Sequence, residues 1–548
     1  MTQMTLIRLF AATARKDRGF HYGGGAERSY ISYAELYAES LEMAAELKRL
    51  PLRRRFVAPI WMEPTPACFR AFMAVVLADG IPVPLHGFAS AAETADRCLG
   101  LEAEVLLASG RGLEALRAEG AEERLAADGT LLLNGETGRL LSGDKEFASL
   151  RAASREARRY TPPDETAVVF LSSGSTGRPK GIMLSDRNLT SNLDAIGRSL
   201  TLTEQDAVLL TKSFGYCSTI TGEWLLALDT GMNIRLEPGL LHPLQLVTAI
   251  RSSSSTFVCT VPAVAMALAK SETWKAEDLA SLRKLLVVGA SMPSDMLALL
   301  QRRLPDVDIR TGYGLTEASP RVTCLPAGGL LYKPGSAGCA INGVEIAIYR
   351  ERQRVLTPGQ PGEIVVKGPN VMLGYYDDPE RTAHTLASYG LRTSDVGYLD
   401  EDGCLYLTGR LDNAFNVAGH LFHPEMLENA LLTHPEVREA AVAGLPDGLT
   451  GYRPFALIVP GIMPETAAAA EQLKQRLNAF CTNKLSAPAR PKDIFLAVEL
   501  PRTNTGKLDR PGLQRKIKEV RDAFPYGTIG VGAGDHRSGG PARQKESR

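Results

Sequence analysis

The chain has 548 residues, 44% hydrophobic and 23% charged, with 62 basic side chains matched by 62 acidic ones. At that length one core does not suffice and at least two domains are expected, and zero net charge supplies no global field for nucleic acid or an anionic membrane. No apolar run is long enough to span a bilayer, which leaves small molecules and proteins as partners.

In chain order, the opening MTQMTLIRLFAATARKDRGF lacks a signal-peptide core and cleavage site and reads as a first amphipathic helix. Strand character begins at Tyr30, and Ser32-Tyr33-Ala34-Glu35 then has the spelling of a capping box opening a helix that runs to about Leu50. A strand over 56–61, a helix over 66–78 and a strand over 81–85 follow. Apolar runs at 105–108, 167–171, 207–211, 233–236, 257–261 and 284–288 continue the alternation, with a further strand ending near Thr311. This predicts parallel βαβ units. Residues 109–160, rich in Arg, Glu, Ala and Gly, give no clear periodicity and are expected to include a surface excursion. Between Gly335 and Gly368 short strands and turns predict a β-rich subdomain, and after Gly409 come smaller mixed α and β segments. The terminal GVGAGDHRSGGPARQKESR has the composition of a disordered tail. The eight cysteines, at 68, 98, 217, 259, 324, 339, 404 and 481, show no C-x-x-C pair or metal-ligand spacing, and are expected as buried thiols of a cytoplasmic protein.

Four stretches carry chemistry. Residues 169–188 read VFLSSGSTGRPKGIMLSDRN, in which Ser172, Ser173, Gly174, Ser175, Thr176 and Gly177 lead to Pro179, Lys180 and Gly181. Glycines admit an anion to the backbone N–H groups, hydroxyls add donors, and Lys180 adds charge, so the loop suits a phosphate; the same composition also makes a flexible surface loop. It is neither a G-x-x-x-x-G-K-S/T nor a G-x-G-x-x-G motif. Tyr313-Gly314-Leu315-Thr316-Glu317 offers a ring for a purine, a hydroxyl for a phosphate oxygen and a carboxylate for Mg²⁺, although Thr-Glu is also a common helix-capping pair. In Thr393-Ser394-Asp395 and Gly409-Arg410-Leu411-Asp412, a carboxylate able to accept both ribose hydroxyls is matched with a guanidinium; a turn aspartate and a solvated arginine are the plain reading. Finally PRTNTGKLDR at 501–510 sets Lys507 on a glycine-flexed loop.

In this order the four stretches resemble the T-G-x-P-K-G loop, the aromatic-Gly-x-Thr-Glu element, the T-G-D and G-R-x-D/K pair and the P-R-T-x-S/T-G-K element of the adenylate-forming superfamily. Its members are acyl-CoA synthetases, adenylation domains and luciferases. The resemblance covers about residues 25–520, includes Gly362-Glu363-Ile364 through Gly374-Tyr375-Tyr376, and departs at Ser394, where the family has Gly. It implies an α/β fold with a large N-terminal domain of two sheet-and-helix lobes plus a β-barrel subdomain, and a small mobile α+β C-terminal domain. The implied boundaries are 1–410 for the AMP-binding adenylation domain, 411–525 for the mobile domain and 526–548 for the tail.

The resemblance also implies a reaction. A carboxylic acid and ATP give acyl-AMP and pyrophosphate, and the acyl group passes to the phosphopantetheine thiol of CoA or of an acyl or peptidyl carrier protein. Mg²⁺ would sit at Thr176 and Glu317, the 172–181 loop and Thr316 would meet phosphates, and Lys507 would stabilise charge during adenylation. Tyr313 with Gly289, Ala290 and Ser291 would frame adenine, while Asp395 and Arg410 hold the ribose. Asp412 would be the hinge by which Lys507 leaves, and Gly419 would leave room for the pantetheine arm. Phe214, Tyr216, Cys217 and Gly312 fall at the substrate pocket. Cys217 stands where amino-acid-activating relatives carry Asp, the nearest acid being Glu223, so a fatty, aryl or other non-α-amino acid is expected. Leu421 replaces the Arg that many CoA users have after Gly-His, which keeps a carrier protein open as acceptor. His420 and His423 read as polar packing at the Pro424 helix start. The alternatives are an acyl-AMP ligase that loads only a carrier protein and a non-catalytic nucleotide- or acyl-binding member.

Overall fold

Helix starts in this chain are set by residues that suit the unpaired N–H groups of a first turn. Ser32 accepts from the Glu35 N–H, and Glu35 Oε2 accepts from the Ser32 N–H at 2.8 Å, so the predicted capping box does open the helix Tyr33–Arg49. Ser185 and Asn188 act reciprocally in the same way for Asp186–Leu200. Proline occupies the first turn of Pro66–Leu77, Pro262–Lys270 and Pro424–Leu432, where its missing N–H costs nothing.

This computed structural model describes residues 5–15, 17–23, 29–137, 160–172, 180–239, 242–417, 420–448, 450–485, 489–503 and 508–523. The chain forms two compact units, Met1–Asn413 and Ala414–Arg548. In the first, a seven-stranded sheet runs in the order Asp308–Gly312, Lys284–Val288, Phe257–Thr260, Ala207–Leu210, Asn233–Leu236, Gly19–Tyr22, Ser29–Ser32. All its neighbours are parallel except the last pair, as the βα alternation predicts. A second, four-stranded parallel sheet is built from Ile81–Pro84, Val57–Trp61, Val105–Ala108 and Leu131–Asn134. The β-rich subdomain is an antiparallel sheet of eight strands between Thr323 and Arg410.

Two expectations change, and one stretch gains definition. Within 109–160, Gly110–Ala118 and Ala121–Asp128 are helices, and Leu131–Asn134 is the buried edge strand of the four-stranded sheet. The short run Leu131–Leu133, following an alanine-rich helix, hides the βα repeat from a periodicity reading. Cys339 and Cys404 are not free thiols. Antiparallel register sets them directly opposite each other and they form a disulfide, 65 residues apart in sequence; the other six cysteines are free and buried. Phe214, expected at the substrate pocket, is fully buried in the core, edge-on to Phe69 at 5.2 Å, with Trp224 packed on the same ring at 4.9 Å. Among the described residues no helix is long and apolar enough to cross a membrane.

The second unit has its own sheet, in which the hairpin Val437–Asp447 and Gly451–Pro460 is extended by Phe415–Val417 with His420–Phe422 and by the parallel strand Asp493–Leu496. Arg510, at the start of the helix Arg510–Ala523, grips Glu428 with Nη1 to Oε1 at 2.6 Å and Nη2 to Oε2 at 3.0 Å, and also donates to the Val442 carbonyl at 2.9 Å. Burial pushes the Glu428 carboxyl above its usual pKa, while Arg510 pulls it back. Arg510→Met would strand this buried carboxylate, and a loss on the order of 3 kcal/mol is expected in urea unfolding. The double variant with Glu428→Leu should recover much of that loss, because no orphaned charge remains.

Candidate active site

The strands Ala207–Leu210, Phe257–Thr260, Lys284–Val288 and Asp308–Gly312 are parallel neighbours, so their carboxyl ends share one edge of the sheet. Ligands of open α/β sheets gather outside such an edge. The segment 211–217, the exposed Gly289-Ala290-Ser291 and the stretch Gly312 to Glu317 all follow these strand ends.

Tyr313 and Asp395, 82 residues apart in sequence, meet here. The Tyr313 hydroxyl donates to Asp395 Oδ2 at 2.5 Å, and Arg410 Nη1 donates to Oδ1 at 2.6 Å. Antiparallel pairing of Gly390–Leu399 with Cys404–Arg410 sets Asp395 directly opposite Arg410. Ser394 has φ +59°, a left-handed conformation, which accounts physically for the glycine that related sequences carry at this position. Asp395 is 9% exposed, and burial raises its pKa against the pull of Arg410 and the Tyr313 hydroxyl. The Tyr313 phenol lies well above its ordinary pKa through burial and the Asp395 charge, so it is a donor at neutral pH. Arg410 Nη2 also reaches Asp412, at 3.4 Å.

Glu317 is held by a residue to which the sequence reading gave no role. The Tyr375 hydroxyl donates to Glu317 Oε1 at 2.9 Å, and Lys180 Nζ stands 5.6 Å from the centre of the Tyr375 ring. Lys180 opens the strand Lys180–Ser185 and pairs in register with Ser172, so the hairpin brings the base of the glycine-rich loop toward Glu317. Gly181 is required for this approach, since a Cβ there would lie 2.8 Å from that of Tyr376. Ser173, Gly174, Ser175, Thr176 and Gly177 lie outside the described residues, as do Gly419 and Lys507.

Two asparagines fix the strip from Thr316 to Arg321. Asn192 donates to the Arg321 carbonyl at 2.8 Å and accepts from its N–H at 3.0 Å. Asn370 donates to the carbonyls of Ala318 and Arg321 at 3.0 and 3.1 Å.

Beyond the strand Ala207–Leu210 lies a second cluster. Lys212 Nζ is 2.8 Å from Glu223 Oε1 and within 3.3 Å of both Ser218 Oγ and Cys259 Sγ. Glu223 is fully buried in a π-helical turn, Ile220–Leu225. Burial pushes the Cys217 thiol up to about 12, which removes it as a nucleophile. Tyr216 packs its ring 4.5 Å from His86. In sequence Glu223 stands out only as the acid nearest Cys217; nothing there signals that Lys212 neutralises it.

The family model of the AMP-binding enzymes matches residues 10–376, and that of the AMP-binding enzyme C-terminal domain matches residues 426–507. The chain is 27% identical to 4-coumarate–CoA ligase 3 of Oryza sativa subsp. japonica, over 90% of this chain and 88% of the relative. It is 32% identical to a feruloyl-CoA synthase of Amycolatopsis sp, over 65% and 70%. Among solved structures, the O-succinylbenzoate coenzyme A synthetase of Bacillus subtilis in complex with ATP and magnesium ion superposes with a TM-score of 0.76 at 25% identity, covering 92% of this chain and 99% of that one.

Tyr313→Phe removes a donor to a buried carboxylate, and about 2 kcal/mol of stability should go with it. Because the phenol favours the ionised form, the Asp395 pKa should rise further in the variant. Carbon-detected titration of the carboxyl in both proteins checks the sign.

Proposed function

The chain belongs to the family of AMP-binding enzymes, and from that membership we propose specific roles for the residues at the sheet edge. The enzyme is an ATP-dependent acid–thiol ligase. A carboxylate attacks the α-phosphorus of ATP to give acyl-AMP and pyrophosphate, and a thiol then takes the acyl group and releases AMP. The observation that carries the assignment of roles is the cluster in which buried Tyr313 and the solvent-reaching Arg410 both donate to buried Asp395.

Asp395, pre-ordered by Tyr313 and Arg410, turns its free acceptor positions to the ribose hydroxyls of the nucleotide, and Arg410 keeps the carboxylate ionised. Tyr313 and the exposed Gly289-Ala290-Ser291 frame the adenine, and Thr316 meets a phosphate oxygen. Glu317 fits Mg²⁺: Tyr375 fixes one oxygen, and the carboxylate accepts no other hydrogen bond among the described residues. Magnesium commonly takes one or two carboxylates together with phosphates and waters. With Thr176 as a further ligand, the metal would offset charge on the phosphates during their departure. Lys180 adds positive charge beside the same loop. Lys507 enters for adenylation and leaves by rotation about Asp412, after which Gly419 borders the path of the thiol.

The acid is one without an α-ammonium group. A cationic amine would find a neutral thiol at Cys217, and the nearby carboxylate Glu223 is already paired with Lys212. CoA is the acceptor in the named relatives, and we extend it to this chain in the cytoplasm, where ATP and CoA meet. A carrier protein's phosphopantetheine is the second reading, favoured by Leu421, which is 58% exposed and offers an apolar contact in place of a phosphate-binding charge.

Pyrophosphate release dependent on a carboxylic acid tests the assignment, and its absence over a broad acid panel would favour a non-catalytic binding protein. Lys507→Ala should lower adenylation by roughly two to three orders of magnitude while thioester formation from supplied acyl-AMP stays near wild type. Equal loss in both half-reactions would sink the role given to Lys507. Turnover with CoA alone would remove the carrier-only reading.

A further inference from the structure

Arg321 follows the Thr316–Ala318 turn by three residues, and Asn192 and Asn370 clamp its backbone. Its side chain is another matter. The residue is 3% exposed, its Nε is sealed from solvent without a hydrogen-bond partner, and no acceptor among the described residues takes a bond from Nη1 or Nη2. A buried guanidinium always carries its charge and presents a planar fork of donors, so leaving it unpaired is among the costliest arrangements a core can hold.

Nη1 lies 3.3 Å from where a Cβ on Gly312 would be, and Nη2 lies 3.9 Å from the corresponding point on Gly222, in the π-helical turn. The guanidinium therefore lies between the end of the strand Asp308–Gly312 and the π-helical turn, and the missing side chain at Gly312 lets it approach that closely. From there Arg321 acts electrostatically on Cys217, Glu223 and Cys259. Lys212 already takes Glu223 at 2.8 Å, while Glu317 is met by the neutral Tyr375 hydroxyl and Arg321 forms no ion pair among the described residues.

We propose that Arg321 determines substrate specificity by pairing with a second oxyanion on the acyl tail, remote from the carboxylate that is activated, so that the preferred substrates are dicarboxylic acids or acids with an equivalent anionic group. The proposal rests on the adenylation reading above. A carboxylate meets a guanidinium through two parallel hydrogen bonds, which restores the missing partner and fixes the tail in one orientation. The carboxylate under activation is a poor alternative occupant. A tight ion pair would stabilise it in the ground state and blunt its attack on phosphorus.

The test uses the full-length protein with ATP and Mg²⁺, and measures pyrophosphate release for matched acids: terephthalate against benzoate, adipate against hexanoate, and shorter and longer pairs of the same kind. Wild type should favour the diacid in at least one pair by roughly tenfold or more in kcat/KM. Arg321→Met should raise KM for that diacid by at least roughly tenfold, leave kcat nearly unchanged, and improve the matched monoacid. Arg321→Lys keeps the charge without the fork and should fall between them; thermal melting and ATP titration check that each variant is folded, and the Lys variant decides if the Met variant is not. Preference for the monoacid in every pair, or equal losses for mono- and diacid on substitution, would overturn the proposal, the second result placing the activated carboxylate at Arg321. If no acid releases pyrophosphate, the adenylation reading falls. Calorimetric titration of the diacids then still decides Arg321, since binding that survives the substitution contradicts it.

Discussion

Asn192 and Asn370 hold the strip from Thr316 to Arg321 between them, and the site depends on that clamp. Both side chains are fully or almost fully buried; both groups of the Asn192 amide and the Asn370 Nδ2 find backbone atoms that belong to no regular strand, while Asn370 Oδ1 has no partner among the described residues. The strip thereby gains the rigidity that a sheet ladder would otherwise supply. Glu317, inside it, meets the Tyr375 hydroxyl, and Arg321, at its end, lies beside Gly312 and Gly222. Asn188 extends the brace, donating to the carbonyls of Pro369 and Val371 on the same segment as Asn370.

This bracing matters because the surrounding groups are charged and partly desolvated. Asp395 is buried enough for its pKa to rise, and it stays useful as an acceptor only while Arg410 and the Tyr313 hydroxyl favour the ionised form. Tyr313 and the Asp395–Arg410 strand pair, 82 residues apart from Tyr313 to Asp395, must therefore hold their distances. Regular pairing of Asp395 with Arg410 across adjacent strands supplies one of these constraints. The sheet edge at Gly312 supplies the other.

Much of this was legible in the sequence, because it is local. The capping box at Ser32 and Glu35 is a four-residue pattern, and the βα alternation places Tyr313 and Gly289 after strand ends without any knowledge of the fold. Asp395 and Arg410 could be named from their spelling, although not the bond that joins them. What stayed hidden is pairing across distance. Cys339 with Cys404, Arg510 with Glu428, and Tyr375 with Glu317 follow from register and packing, which a linear pattern does not encode. Phe214 shows the converse limit: an aromatic residue in a functional segment turned inward, because the strand end before it is buried on both faces. Arg321 was passed over since a lone arginine after a motif is normally solvated, and only burial without a partner distinguishes it.

The two ends of the sheet edge thus use charge in opposite ways. Around Asp395 the charged groups already satisfy one another, with Tyr313 and Arg410 on its two oxygens. Around Glu223, Lys212 closes a pair whose breaking would strand two buried ions. The neutral Cys217 thiol and the two glycines offer no charge of their own. On the proposed reading, in which this end receives the acid, shape alone would separate homologues by a methylene only modestly, whereas a buried guanidinium would reject a tail that leaves it unpaired. Selection of the acid would then be electrostatic and would fall to Arg321.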